Sequence, residues 1–381
     1  MLLRHLPILA AAVVLVTSPI SAQDHDAIAR RVLATTPLVD GHNDLPWAIR
    51  ISDSPRDVGA FDLRSATPFH TDIPRLREGG VGAQFWSIYV PIDAVEEGAA
   101  KVQLEQIDIA NRIFEMYPEA FEPAFTASDV ERAFGNGRIA SLMGMEGGHA
   151  IENSLGALRA FFQAGARYMT LTHSDNTDWA DSATGLPIHG GLTRFGEEVV
   201  REMNRMGMLV DLSHVAPSTM QDVLDIAEAP VIFSHSSAKA VTDHPRNVPD
   251  DVLQRLPENG GVVMVTFVPS FVSDDGNATL ADVADHIDHV KAVAGVEHVG
   301  IGSDFDGITS VPVGLEDVST FPALFAELSR RGWSEEELRM LAGENLLRVM
   351  RASEAAARRI QRVRPPSTAT IEELDGSAVQ G

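Results

Sequence analysis

The chain has no cysteine. Disulfides, a thiolate nucleophile and thiolate-held zinc or iron–sulfur sites are therefore excluded, and any bound metal must be held by His, Asp and Glu. Positive charge is scarce. The 30 Lys and Arg residues stand against 54 Asp and Glu, giving a formal net charge of −24. Such a chain repels the phosphates of nucleic acid and of anionic membranes, so neither is an expected partner. No strand is followed by G-x-G-x-x-G or a P-loop, which removes the main support for an open, doubly wound nucleotide-binding sheet. The apolar run Leu6–Val16 falls short of the roughly 20 residues that a spanning helix needs.

That run instead reads as a secretory leader. Arg4 and His5 precede it, Thr17-Ser18-Pro19 breaks it, and Ser21-Ala22 places small residues before Gln23. The expected organisation is a signal peptide at 1–22, one large domain at 23–352, and a C-terminal tail at 353–381. The tail contains Pro365-Pro366, lacks periodicity and is expected to be flexible. The mature chain is expected to be secreted or periplasmic, with no stable membrane anchor.

What is present is a regular alternation. Hydrophobic residues make up 44% of the chain, enough for a sizeable core. Apolar strand-like runs occur at 36–44, 81–90, 138–146, 166–173, 207–214, 229–235, 260–267 and 298–304. Helical patterns separate most of them, at 99–117, 155–164, 193–206, 217–228, 249–256 and 280–294. Two more follow at 321–330 and 334–352, the latter opening on the capping signature Ser334-x-x-Glu337. Eight strands alternating with helices predict an α/β fold, a (β/α)8 TIM barrel of the metallo-dependent hydrolase type.

Six of the eight predicted strands end in residues suited to chemistry. The first gives His42 and Asp44, the third Glu146, the fourth His173, the fifth His214, the sixth His235 and the eighth Asp304. In a barrel these ends converge on the face where active sites lie. His42 and Asp44, two apart on a strand, point the same way. A set rich in imidazole and carboxylate suits zinc, with manganese, cobalt or iron as rivals. It offers too many ligands for one catalytic zinc, so two metals sharing a carboxylate are expected. Asp306 shares a strand face with Asp304 and competes with it. Asp40 is expected to be a buried partner orienting a ligand. His149, His244 and His298 are expected to lie behind the site or on the surface, and Trp179 and Tyr89 either to line a pocket or to pack.

The motifs DGHNDLP at 40–46, GMEGGHAIEN at 144–153 and LTHSDNTDWADS at 171–182 occur in order. They are followed by the segment from Gly191 to Val215, SHSSAKAVTDHPRNVPD at 234–250 and GIGSDFDG at 300–307. Together they resemble the membrane (renal) dipeptidase family of zinc dipeptidases, among the amidohydrolase-like barrels, from Thr36 to about Arg351. The resemblance implies two zinc ions per subunit. His42 and Asp44 would ligate one, His214 and His235 the other, and Glu146 would bridge them. It also implies that His173 stabilises the oxyanion, that Arg246 binds the substrate's C-terminal carboxylate, and that Asp304 passes the proton from a metal-bridged hydroxide's water to the leaving amine. The implied substrates are short peptides, L-L and L-D dipeptides among them. Homodimers are usual in such a family. The absence of cysteine and of an apolar C-terminal tail departs from the animal members and leads us to expect a soluble bacterial enzyme. A related barrel hydrolase of β-lactams, lactones or other amides and esters is the alternative reading, and a binding protein without turnover is a third.

Overall fold

The computed structural model describes residues 22–376. Its strands are β1 (Leu38–Asn43), β2 (Val81–Tyr89), β3 (Phe121–Pro123), β4 (Ile139–Glu146), β5 (Ala166–Thr170), β6 (Leu209–Asp211), β7 (Ile232–Phe233), β8 (Val262–Val265) and β9 (Val299–Ile301). All pairings between them are parallel. Eight strands close into a barrel, because β1 pairs with both β2 and β9, and β2 skips β3 to pair with β4. The expected (β/α)8 barrel is therefore the observed fold. β3 stays outside the ring. It pairs with Ile139–Ser141, below the point where β5 joins β4 at Met143.

Among the elements that went unread in the sequence are β3 and the helix Ala127–Gly135. Three residues are too few to show strand alternation. The helix does carry a start signal, since Thr126 and Asp129 form a reciprocal capping box. Most strands are also shorter than their apolar runs suggest, and His173, His214, His235 and Asp304 lie in the turns that follow β5, β6, β7 and β9. His214 and Asp304 have φ values of 73° and 68°, left-handed conformations that cost non-glycine residues energy and cluster at functional sites.

Most of the longer helices form where the apolar spacing predicts them, while the one expected at 249–256 is split into Asp250–Leu253 and Leu256–Asn259. In Arg194–Met206, Phe195, Val199, Val200 and Met203 are buried at three- and four-residue intervals. Thr193 caps its start by accepting from the Gly196 N–H, and Gly207 ends it at φ 81°. Each such apolar side chain contributes about 1.5–3 kcal/mol on burial. Inside the barrel, Gly144 leaves room for the ring of Tyr168: a Cβ at 144 would meet Tyr168 Cζ at 1.9 Å.

The C-terminal boundary differs from expectation. A helical stretch starts at Glu335, widens into a π turn over Met340–Glu344, and continues from Asn345 to Ile360, through the predicted end at 352. Beyond it, the Ser367 carbonyl accepts from Arg159, and Asp375 accepts from the N–H groups of Arg194 and Phe195. Ile371 and Leu374 pack against the core as well, too short an apolar pair for periodicity to register. The leader expected at 1–22 lies, Ala22 apart, outside the described residues. No helix among the described residues is long and apolar enough to cross a membrane.

Candidate metal centre and cleft

The turns at the C-terminal ends of the strands bring together every ligand named from the sequence. Glu146, the last residue of β4, stands at the centre. Its Oε1 lies 3.0 Å from His214 Nε2 and 3.4 Å from His235 Nε2. Its Oε2 lies 3.5 Å from His42 Nε2, which is itself 3.1 Å from Asp44 Oδ2. The two oxygens of one carboxylate thus face two separate donor sets. Among the described residues, three groups have ligand atoms within 4.8 Å of one another: His42, Glu146 and His235; Glu146, His173 and His214; and His42, Asp44 and Asp304.

The donors fit two metal ions. His214 Nε2 and His235 Nε2 stand only 2.9 Å apart, and both face Glu146 Oε1. Two bare lone pairs at that distance repel unless a cation lies between them and the carboxylate. His42 Nε2 is buried without a hydrogen-bond partner. Its tautomer follows from its surroundings. Tyr168 donates its hydroxyl hydrogen to the Gly41 carbonyl, 3.2 Å away, so its oxygen accepts from His42 Nδ1 at 2.8 Å. That leaves Nε2 as a lone pair aimed at the site. The Ser234 hydroxyl stands 2.8 Å from His235 Nδ1 in a similar place. Oxygen and nitrogen donors without sulfur suit zinc.

The electrostatics agree. Burial, reinforced by Arg246 and His173 at His214 and by His42 and His214 at His235, holds both imidazoles well below the usual range, so both are neutral. Burial opposes charge on Glu146 too, but His42 and His214 outweigh it and keep the carboxylate ionised. At His42 burial is overcome by Tyr168, Glu146 and Asp44, which raise it in the protein alone, so its Nε2 becomes a bare lone pair only when a metal ion takes the place of that proton. Burial together with Asp44 and Glu146 pushes Asp304 well above the usual carboxylate range in the protein alone. The expectation that Asp304 rests as an anion thus requires the two dications beside it.

A cleft of about 430 Å³ opens over these groups. Trp47 and Tyr89 form one wall, packed edge to face at 4.8 Å, with His173 4.8 Å from Tyr89. Arg246 and Phe271 line it too, the guanidinium 5.4 Å from the ring centroid. Arg246 is buried, its Nη1 has no hydrogen-bond partner, and burial brings it down to about 10. His173 Nδ1 stands 3.2 Å from the Ser174 hydroxyl and its Nε2 faces the centre, 3.7 Å from Glu146 Oε1.

The other sequence candidates sort cleanly. Asp40 is fully buried and accepts from the Ser303 N–H and hydroxyl and from the His42 N–H; burial pushes it up to about 6. Asp306 belongs to none of the three ligand groups and pairs with His70, accepting its backbone N–H at 2.6 Å. His244 lines the cleft, stacked on Phe271. His149 donates toward the Val90 carbonyl, and His298 lies against the Gly261 carbonyl at the far end of the barrel. Tyr89 lines the cleft, whereas Trp179 is wholly buried packing. Sequence reasoning missed Trp47, Phe271, Tyr168, Ser234 and Asp211. Trp47 alone carried a signal, one residue past the DGHNDLP segment.

Known proteins share this fold and much of the sequence. A crystal structure of a metallopeptidase described as dipeptidase AC is 31% identical, with 84% of this chain and 99% of that one covered and a TM-score of 0.75. A metallopeptidase from Rhodobacter sphaeroides, solved with a phosphinate mimic of the dipeptide L-Ala-D-Ala, is also 31% identical over 84% and 99%, with a TM-score of 0.74. An amidohydrolase from Pseudomonas aeruginosa is 26% identical over 85% and 98%, with a TM-score of 0.73. The sequence pattern of the family described as membrane dipeptidase, peptidase family M19, matches residues 26–364. A match over nearly the whole described chain, on a barrel with paired metal positions at its mouth, makes this protein a member of the membrane dipeptidase family.

Proposed function

We propose that the chain is a dinuclear zinc dipeptidase acting on short peptides with a free C-terminal carboxylate, L-D as well as L-L dipeptides. The observation that carries this reading is Glu146, whose two oxygens face His42 with Asp44 on one side and His214 with His235 on the other. Two zinc ions held there supply Lewis-acid polarisation of the scissile carbonyl and lower the pKa of the attacking water.

The chain's own residues then divide the work. Arg246, buried at the cleft with an unpaired Nη1, offers a planar fork to a planar carboxylate. Anchoring that end sets the peptide carbonyl over the centre, a gain from positioning. Burial keeps His173 neutral, and a Ser174 hydroxyl donating to Nδ1 leaves Nε2–H free to donate to the developing oxyanion. Asp304 takes the proton from water and gives it to the leaving nitrogen; its raised pKa in the protein alone fits a group that must hold that proton in transit. Trp47 and Tyr89 offer an apolar wall to the substrate's side chains. The relative from Rhodobacter sphaeroides, solved with a mimic of L-Ala-D-Ala, supports the L-D substrate class.

Turnover of a dipeptide and of its C-terminal amide, in the wild type and in Asp304→Asn, tests the reading. The free acid should be strongly preferred, and the variant should keep its metals and lose most turnover. Equal turnover of acid and amide would remove the carboxylate requirement, and full activity of Asp304→Asn would remove its proton role.

A further inference from the structure

Two carboxylates that touch neither the metal positions nor the cleft tie the ligand-bearing turns together. Asp40 on β1 accepts from the Ser303 N–H at 2.8 Å, from the Ser303 hydroxyl at 2.6 Å and from the His42 N–H at 3.3 Å. Ser303 immediately precedes Asp304. Asp211 on β6, half way round the eight-stranded ring from β1, repeats the arrangement. Its Oδ1 accepts from the Ser213 N–H at 3.0 Å and from the Ser234 N–H at 2.9 Å. Ser213 precedes His214, and Ser234 precedes His235. Both carboxylates are fully buried, and each bridges neighbouring strands, β1 to β9 and β6 to β7.

Each clamp has its own supports. At the first, the Asp304 N–H donates to the His42 carbonyl at 3.1 Å and the Asp44 N–H to the Phe305 carbonyl at 2.9 Å. At the second, the His235 N–H donates to the Ser213 hydroxyl at 3.0 Å, and that hydroxyl meets Ser236 Oγ at 3.2 Å. Among the described residues no hydrogen bond of one clamp reaches the other, and the two come together at the rings of His42 and His235, 3.9 Å apart. Each clamp also includes a residue at positive φ, Asp304 in one and His214 in the other. Such strained turns persist only where surrounding bonds hold them.

We propose that Asp40 and Asp211 are positioning residues for separate metal positions. Asp40 sets His42 and Asp44 together with Asp304, and Asp211 sets His214 with His235. This rests on the dinuclear reading above. It assigns each metal position a private support, so that the two sites lose affinity independently.

The experiment measures zinc per chain and both dissociation constants by chelator competition. The wild type is compared with Asp211→Ala, Asp211→Asn and Asp40→Ala, each also in a His214→Ala background. Circular dichroism and thermal melting of the metal-free proteins report the fold. Asp211→Ala should weaken one zinc by about 10–100-fold, the usual effect of losing an outer partner of a ligand, and leave the other at wild-type affinity. In the His214→Ala background, where only the His42 position binds tightly, Asp211→Ala should change nothing further and Asp40→Ala should still weaken binding. Asp211→Asn keeps an oxygen for both N–H groups and should restore most of the affinity. Should Asp211→Ala fail to fold, Asp211→Ser, which replaces the two-bond acceptor with a shorter one, is read in the same way. Wild-type affinity at both positions in the folded Ala variant, equal weakening of both zincs, or no rescue by Asn would each overturn the proposal. A wild type that binds fewer than two zincs would instead overturn the dinuclear reading itself.

Discussion

The hydroxyl of Tyr168 stands 2.8 Å from His42 Nδ1, at the top of a ring that fills the space above Gly144. Barrel packing and metal chemistry meet in this contact. The hydroxyl's own hydrogen is committed to Gly41, so it fixes which nitrogen of His42 is bare. Tyr168→Phe keeps the ring and removes the acceptor. Zinc affinity at the His42 position should fall by about 10–100-fold with the fold intact, as chelator competition would record. Unchanged affinity would mean that the tautomer is set by other means.

Gly144 tests the same contact from beneath. A methyl group there would lie 1.9 Å from the Tyr168 ring, and the ring sits inside a closed barrel. Gly144→Ala should cost about 1–3 kcal/mol of stability, the usual penalty for overpacking. It should also weaken metal binding, because the ring cannot shift without moving its hydroxyl. Denaturant unfolding of the metal-free protein measures the first effect and zinc titration the second. A neutral change in both would show the interior to be looser than the geometry states.

Arg246 makes a prediction about substrate. Arg246→Lys keeps a positive charge and loses the planar fork. The lost charge-assisted hydrogen bonding, about 1.5–3 kcal/mol, corresponds to a rise of roughly 10–150-fold in KM for dipeptides. Amidated dipeptides, turned over poorly by the wild type, should show little change. Steady-state kinetics on both substrates separates this from a general loss of activity.

His286 sets a pH limit on stability. It is buried, accepts from the Ala238 N–H through Nδ1 at 3.0 Å, and presents Nε2 to the Thr242 hydroxyl and the Val272 carbonyl at 3.3 Å each. Protonation would destroy the Ala238 bond, and burial brings its pKa down to about 4. The unfolded chain takes up this proton near 6.5, and the folded chain refuses it until about 4. The contribution is therefore complete above pH 6.5 and is lost as pH falls toward 4, about 3 kcal/mol in all. His286→Asn, which keeps an acceptor for Ala238, should flatten that part of the stability profile in urea melts at stepped pH. An unchanged slope would assign the acid sensitivity to other groups.

Much of this was legible in the sequence for a physical reason. Ligands of a barrel sit where apolar runs stop, so His42, Glu146, His173, His214, His235 and Asp304 were marked by the pattern itself. Arg246 has no such marker, since it lies in a loop, and its role came from the resemblance of the HPRN segment. The supports were illegible. Asp211 and Ser234 sit within strand-end segments read only for their histidines, and nothing in spacing says that one carboxylate will accept two N–H groups across β6 and β7. β3 and the helix Ala127–Gly135 were missed because one is too short for periodicity and the other, capped by Thr126, has Asp129 at the third helical position where Glu or Gln is the usual signal. The segment beyond 352 is held by Ala356, Ala357 and Ile360 on the buried face of the long helix, by Ile371 and Leu374 against the core, and by Ser367 and Asp375, polar contacts that leave no trace in hydropathy.

The central claim is that two metal ions shared by Glu146 perform dipeptide hydrolysis. The most direct measurement strips the purified protein of metal, returns zinc stepwise, and follows amino-acid release from L-Ala-L-Ala and L-Ala-D-Ala at each zinc-to-protein ratio. The account predicts no release from the stripped protein, recovery as zinc is added and saturation at two zinc ions per chain. Full release from the stripped protein, or no release from a folded chain carrying two zinc ions, would contradict it.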